Sequence, residues 1–246
     1  MFLFLLLATV SGCKDKAVTP TDELTATIQT AHFIFHYTPG DQIDTARQEA
    51  YYNWVVPTLG VSVPQKLECF RYHDRAQLAR MTGKQTNGFA EPGTYKYHTI
   101  WEWDNHESTH CLVSSLIGLP PALFTEGFAV SLQTDPLSNR LVPMWNMTKL
   151  HTLAKQYLQA GSIPSLDALL ESVSFHNNFD ANITYPVSGS YCQYLVDTKG
   201  MVLMKSFMAR SSYYDSIAQT KANFLAVYSV TLDSNWQEWL AYLPTQ

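Results

Sequence analysis

The spacing of apolar residues along the chain changes character near residue 104. Upstream of that point, apolar and polar residues alternate in segments rich in β-branched and aromatic residues, a pattern typical of strands. Between these segments, apolar residues recur every three or four positions, as in amphipathic helices. The pattern predicts strands at 27–37, 65–72 and 95–103, and helices at 44–56 and 76–81.

Downstream of residue 104 the helical spacing dominates. Gly118 is expected to end the first helix of this region, and Pro121 to open the second. The predicted helices are 105–117, 122–133, 147–159, 165–170, 185–199, 201–209 and 236–242. The sequence therefore predicts an α+β fold, with a small mixed α/β region and an antiparallel-type sheet at 26–104, followed by a mainly helical region at 105–246.

Composition and charge narrow the class of protein. Hydrophobic residues make up 46% of the 246 residues and charged residues 15%, which indicates a folded chain with a substantial core. The net charge is −5 and basic residues do not cluster, so no nucleic-acid partner is expected. The 13% aromatic content has two interpretations, large core side chains or an aromatic-lined cleft.

The N-terminal residues have the pattern of an export signal. Residues 1–12 contain an apolar run that is too short to span a bilayer, although no Lys or Arg precedes it. The segment Val10-Ser11-Gly12-Cys13 resembles a bacterial lipobox, which implies lipid on Cys13 and a polar tether at 13–25. We therefore expect an extracytoplasmic protein that is lipid-anchored to a bacterial membrane. Ordinary secretion and a buried N-terminal strand are the alternatives.

Three further cysteines, Cys69, Cys111 and Cys192, could form at most one disulfide among themselves. Cys111 and Cys192 fall in predicted helices, where buried free thiols are common. Buried free thiols are therefore favoured over a bridge.

The segment His106-Glu107-Ser108-Thr109-His110 carries the strongest chemical signal in the chain. Residues four apart lie on one helical face, so His106 and His110 can direct two imidazoles at one metal ion. Glu107 is then placed to take a proton from a metal-bound water. Glu126 lies in the next predicted helix, beyond a Gly-Pro-Pro break, and offers a third ligand. Two His and one carboxylate leave a zinc position open for water, as catalysis requires.

A purely structural interpretation of the same residues is also possible. Asp104 has the residue type of a helix N-cap, which makes Glu107 the third residue of a capping-box-like pair. The two His would then form a polar face, and Glu126 would be a surface carboxylate. The capping and catalytic interpretations of Glu107 are partly compatible.

The motif, together with Leu123-Phe124-Thr125-Glu126-Gly127-Phe128-Ala129, resembles the gluzincin zinc metallopeptidases, and among them the peptidase MA-like group of bacterial extracytoplasmic proteins. Segments 161–170, 185–196 and 236–240 resemble later parts of that group. The resemblance implies a zincin-like helical region. It also implies hydrolysis of peptide or protein substrates through a zinc-bound water.

The resemblance also implies roles for individual residues. His106, His110 and Glu126 resemble the zinc ligands, and Glu107 resembles the general base. Tyr185 resembles the phenol that assists the oxyanion, with Tyr191 as the second choice and a packed core phenol as the alternative.

Three smaller expectations concern the surroundings of the motif. Strand 97–103 can present a free edge to an extended peptide, with Thr99 and Trp101 as substrate-binding residues, or it can be an ordinary paired strand. Gly127 is expected to let the Glu126 helix approach the His-bearing helix closely. His151 and His176 have no ligand spacing, although either can enter the cleft after folding.

Three other functions stay open at this point. The chain could be a zinc-binding scaffold that has lost hydrolysis, although an intact Glu107 argues against that. It could be a zinc hydrolase that acts on a non-peptide amide, which the sequence does not separate from a peptidase. An interaction module without metal would contain no zinc after purification.

Overall fold

The structure, a computed structural model, describes residues 23–246. The predicted signal peptide, the lipidation site Cys13 and most of the predicted tether lie outside the described residues. Leu24, near the end of the predicted tether, is 3% exposed and packs with Phe70 and Leu78, so the folded part begins before the first strand. No helix among residues 23–246 combines the length and the apolar character that crossing a membrane requires.

A five-stranded sheet occupies the N-terminal region. Its strands are β1 (Ala26–Gln29), β2 (Phe33–Tyr37), β3 (Leu67–Arg71), β4 (Gly88–Glu91) and β5 (Lys96–Thr99). Their spatial order is β1-β2-β3-β5-β4. The two outer pairs are antiparallel and the two central pairs are parallel, so the sheet is mixed. The predicted α+β class is confirmed, while the expected antiparallel pattern holds only for the outer pairs.

The parallel pairs follow from the crossovers that connect them. Helix α1 (Thr45–Leu59) joins β2 to β3, and helix α2 (Arg75–Thr82) lies between β3 and the last two strands. The end predicted for α1, before Pro57, is wrong. Pro57 lies in the last turn, where it removes only one helical hydrogen bond.

Two details of the sheet differ from the sequence prediction. The single strand predicted at 27–37 is a hairpin, β1–β2, in which the Thr30 amide donates to the Phe33 carbonyl at 3.0 Å. Strand β4 falls between two turn signals and was not predicted, because it is short and begins with glycine.

The C-terminal region is mainly helical, as predicted. Its helices are α3 (Asn105–Leu116), α4 (Ala122–Ser131), α5 (Leu150–Gln159), α6 (Leu166–Leu170), α7 (Ser172–Asn177), α8 (Ala181–Lys199), α9 (Met201–Arg210), α10 (Ile217–Tyr228) and α11 (Leu232–Tyr242). Helices α7 and α10 were not predicted. The helix expected from residue 147 begins at Leu150, because a small hairpin of β6 (Met144–Trp145) and β7 (Thr148–Lys149) precedes it.

Helix α4 is the central helix of this region, and nine of its ten residues are buried. It packs closely against α8, and Gly127 allows the approach. A Cβ at Gly127 would lie 2.5 Å from the Ser188 carbonyl oxygen and 2.9 Å from the Cys192 sulfur. The prediction that Gly127 serves the contact with the His-bearing helix is therefore wrong, since the close neighbour is α8. Cys69, Cys111 and Cys192 are buried free thiols, as predicted.

We expect Gly127→Ala to lower the free energy of unfolding by roughly 1–3 kcal/mol, the usual cost of overpacking a core. The added methyl group meets backbone atoms of α8, which can give way only if the helix moves. Chemical denaturation measures the change, with Ser206→Ala on the exposed side of α9 as the control. A variant as stable as the native protein would contradict the close packing of α4 and α8.

Candidate metal centre

The start of α3 is fixed by an N-cap and a buried glutamine. The carboxylate of Asp104 accepts from the Glu107 amide at 2.9 Å and from the Thr99 hydroxyl at 2.7 Å. The prediction that Asp104 caps this helix at the Glu107 amide is therefore confirmed. The Asp104 amide donates instead to the side chain of Gln48 at 2.8 Å, a buried residue of α1. The Glu107 side chain is thus left out of the cap.

Three metal-ligating side chains converge where α3 and α4 face each other. His106 Nε2 and His110 Nε2 lie 2.9 Å apart, and Glu126 Oε2 lies 3.2 Å and 3.1 Å from them. All three side chains are largely buried, with 13–15% of their surface exposed. The three residues predicted to be ligands are therefore brought together, each offering one atom to a common point.

The spacing of these atoms can be compared with that of a real site. A tetrahedral zinc at about 2.0–2.1 Å from each ligand holds the ligand atoms about 3.3–3.4 Å apart. The observed 2.9–3.2 Å is shorter by a few tenths of an ångström. A small outward movement of the side chains would therefore admit a metal ion without any change in the backbone.

The charge of Glu126 matches this arrangement. Burial opposes its ionisation, but the imidazoles of His110 and His106 lower the pKa of the carboxyl group well below its ordinary value. Glu126 therefore carries a negative charge in the buried site, and that charge favours a bound cation.

Glu107 has the opposite electrostatic character. Burial raises its pKa to about 8, which the neighbouring His106 only partly offsets, and Asp104 and Glu126 add to the rise. Its Oε2 atom is buried and has no hydrogen-bond partner among the described residues. An unpaired buried carboxyl oxygen is costly, and such groups are concentrated at functional sites.

A cleft of about 980 Å³ opens over these four residues. Its wall includes seven aromatic residues. The aromatic residues of the chain therefore both fill the core and line a cleft. Those in the wall are Phe89, Trp101, Trp103, Trp145, Tyr185, Tyr213 and Tyr214.

The structure separates the two tyrosines considered for the oxyanion. The ring of Tyr185 stacks at 5.9 Å from the ring of His106, and Tyr185 lines the cleft. Burial raises the pKa of its phenol, and Glu126 and Glu107 raise it further, so the phenol keeps its proton. Tyr191 is fully buried in the core and donates to Asn235 at 2.9 Å, away from the cleft.

The free edge predicted for strand 97–103 is wrong. Strand β5 pairs with β3 on one side and with β4 on the other. Thr99 is 1% exposed and bonds to Asp104, so it positions α3 and has no surface to offer a substrate. Trp101 follows the strand, is 53% exposed and lines the cleft. The edge strand beside the cleft is β4, which has no second neighbour among residues 23–246.

The two unassigned histidines have different positions. His151 bonds to the Ser190 hydroxyl at 2.7 Å and does not line the cleft. His176 does line it, with Nε2 at 3.8 Å from Glu126 Oε1. Sequence reasoning missed its position because α7 was not predicted. Gln48 and Gly88 were also missed, since each contacts the motif only through the tertiary fold.

Gly88 provides the space that the Glu107 side chain occupies. A Cβ at this position would lie 2.9 Å from Glu107 Cγ and 3.0 Å from the His98 carbonyl oxygen. We expect Gly88→Ala to displace the Glu107 carboxyl group and to lower the kcat of any turnover that depends on that group roughly 10–100-fold, the scale of a small misplacement of a reacting group. Bound metal should be unchanged, because Gly88 does not contact the triad. Steady-state kinetics with metal analysis checks both expectations, and an unchanged kcat would contradict the first.

No protein-family model matches this sequence, and no curated protein matches it. A function for the chain therefore depends on the motif and on the geometry of the cleft. The resemblance to gluzincins stays a prediction.

Proposed function

We propose that this chain is a zinc-dependent metallopeptidase of the gluzincin type. The observation that carries the proposal is the convergence of His106, His110 and Glu126, whose ligand atoms lie 2.9–3.2 Å apart beside an open cleft. Two imidazoles and one carboxylate are the donor set of many catalytic zinc sites, and they leave one position open. Zinc, when bound, would polarise a carbonyl group and lower the pKa of a water molecule.

Glu107 would act as the general base. A pKa of about 8 lets a carboxyl group both accept and release a proton near neutral pH. Its Oε2 has no hydrogen-bond partner among the described residues, so none of their groups competes for that oxygen when it accepts a proton. Proton release to the departing amine would complete the cycle at the same residue.

Tyr185 would donate a hydrogen bond to the developing oxyanion. Its raised pKa keeps the O–H available, and its stacking on His106 places it beside the triad. The Tyr185 ring also packs at 5.4 Å from Trp145, which restricts its movement.

A peptide is the substrate class that the wall of the cleft favours. Strand β4 has a free edge among residues 23–246, and an extended peptide can pair with such an edge through its backbone. Gly88 faces Glu107, Ala90 packs on the core side, and Phe89 and Glu91 contact His98 on the opposite face. The small residues therefore lie on the side of the strand that faces α3. This feature supports a peptidase over a hydrolase for small non-peptide amides.

Metal analysis combined with a peptide-library digest tests the proposal. We expect about one zinc per chain, cleavage of peptides, loss of cleavage after chelation, and recovery when zinc is restored. Non-peptide acyl amides should be included as alternative substrates. A chain that retains no zinc, or cleavage that chelation leaves unchanged, would contradict the proposal.

A further inference from the structure

The two oxygens of Glu126 have different surroundings. Both imidazoles of the triad approach Oε2, at 3.2 Å and 3.1 Å. Oε1 faces His176, whose Nε2 lies 3.8 Å away, within ion-pair range but longer than a hydrogen bond. The His176 side chain is 34% exposed and lines the cleft.

A hydrogen bond one helical turn away fixes the position of His176 relative to Glu126. The Ser172 hydroxyl accepts from the Ala122 amide at 3.1 Å, which joins the start of α7 to the start of α4. His176 lies four residues after Ser172, and Glu126 lies four residues after Ala122. The side chains of His176 and Glu126 therefore approach each other one helical turn beyond this hydrogen bond.

The first turn of α7 is fixed independently. The Glu171 carboxylate accepts from the Ser174 amide at 2.6 Å, and the Phe175 side chain is 1% exposed in the core. His176 therefore projects into the cleft from an anchored turn. Its imidazole can close on Oε1 through a small side-chain movement.

A partner at Oε1 has a specific consequence for a carboxylate ligand. A carboxylate that binds through both oxygens occupies two coordination positions, which would use the one that a catalytic zinc keeps open. A donor at the outer oxygen holds the group in the one-oxygen mode and fixes its orientation.

We propose that His176 is a positioning residue, which holds Glu126 by its outer oxygen and keeps it a one-oxygen ligand. The proposal rests on the proposed zinc site, and it assigns His176 a role outside the ligand set. Outer partners of metal ligands typically contribute 10–100-fold, as an order of magnitude, to metal affinity.

Two variants of the full chain test this role. His176→Phe removes the donor and keeps a ring, whereas His176→Gln keeps an N–H donor. The control is His73→Phe, since the His73 side chain is 69% exposed and lies outside the cleft wall. Zinc affinity is measured by competition with a chromophoric chelator, and the coordination number is read from the visible spectrum of the cobalt-substituted proteins. Thermal unfolding verifies that each variant is folded.

We expect His176→Phe to weaken zinc binding about 10–100-fold and to shift the cobalt spectrum towards a higher coordination number. His176→Gln should restore most of the affinity, and His73→Phe should behave like the native protein. Native affinity and an unchanged cobalt spectrum in His176→Phe would overturn the inference while leaving the proposed function intact. A fall in kcat alone in His176→Phe, with native zinc affinity, would also overturn the inference, since it would indicate that His176 contacts the substrate. A native chain that binds no zinc overturns both proposals.

Discussion

Replacing Glu107 with Gln is expected to abolish most of the hydrolysis while leaving the zinc content unchanged. The amide has nearly the same size and shape as the carboxyl group, so the packing against Gly88 is retained. It cannot accept the proton of an attacking water, and loss of a general base typically costs about 10²–10⁴-fold in rate. The triad is untouched, because Glu107 shares no hydrogen bond with it.

The measurement is kcat/KM for a cleaved peptide, together with zinc per chain. Glu102→Gln is the matched control, since Glu102 is an exposed carboxylate in the wall of the same cleft. We expect native rates in the control. Full activity in Glu107→Gln would remove Glu107 from the mechanism and would leave its buried carboxyl group without a catalytic role.

The candidate metal site was predictable because its geometry is mostly local. His110 lies four positions after His106, and any helix brings such a pair onto one face. The break at Gly118 and Pro121 then returns the chain as a second helix, so Glu126 needs only a short connection to reach the pair. The N-cap at Asp104 was predictable for the same reason, since its partner Glu107 lies three residues away.

The rest of the site depends on contacts between residues distant in the sequence. The Gln48 side chain accepts a hydrogen bond from the Asp104 amide, 56 residues away in the sequence, and no local pattern indicates that bond. His176 reaches Glu126 from a six-residue helix that is too short to give a clear periodicity. Gly127 was correctly identified as a close-packing position, but its partner helix is set by the tertiary fold. Strand β4 was not predicted, so its pairing with β5 was missed and the free edge was expected on β5.

Replacing Glu126 with Ala is expected to separate metal binding from proton transfer. The variant removes one of three ligands and the negative charge that offsets a buried cation. We expect zinc affinity to fall by at least about 100-fold, beyond the 10–100-fold typical of a residue that only orients a ligand. Zinc per chain after dialysis is the primary measurement, and Glu102→Ala is the control.

The response to added zinc distinguishes this variant from Glu107→Gln. In Glu126→Ala the base remains, and the hydrogen bond from the Glu107 amide to the capping Asp104 carboxylate does not involve residue 126. Excess zinc should therefore recover part of the activity by mass action. In Glu107→Gln the same addition should recover none, because the zinc is already bound. Unchanged zinc retention in Glu126→Ala would assign the third ligand elsewhere, and would leave the close approach of Glu126 to both imidazoles as an ordinary buried ion pair.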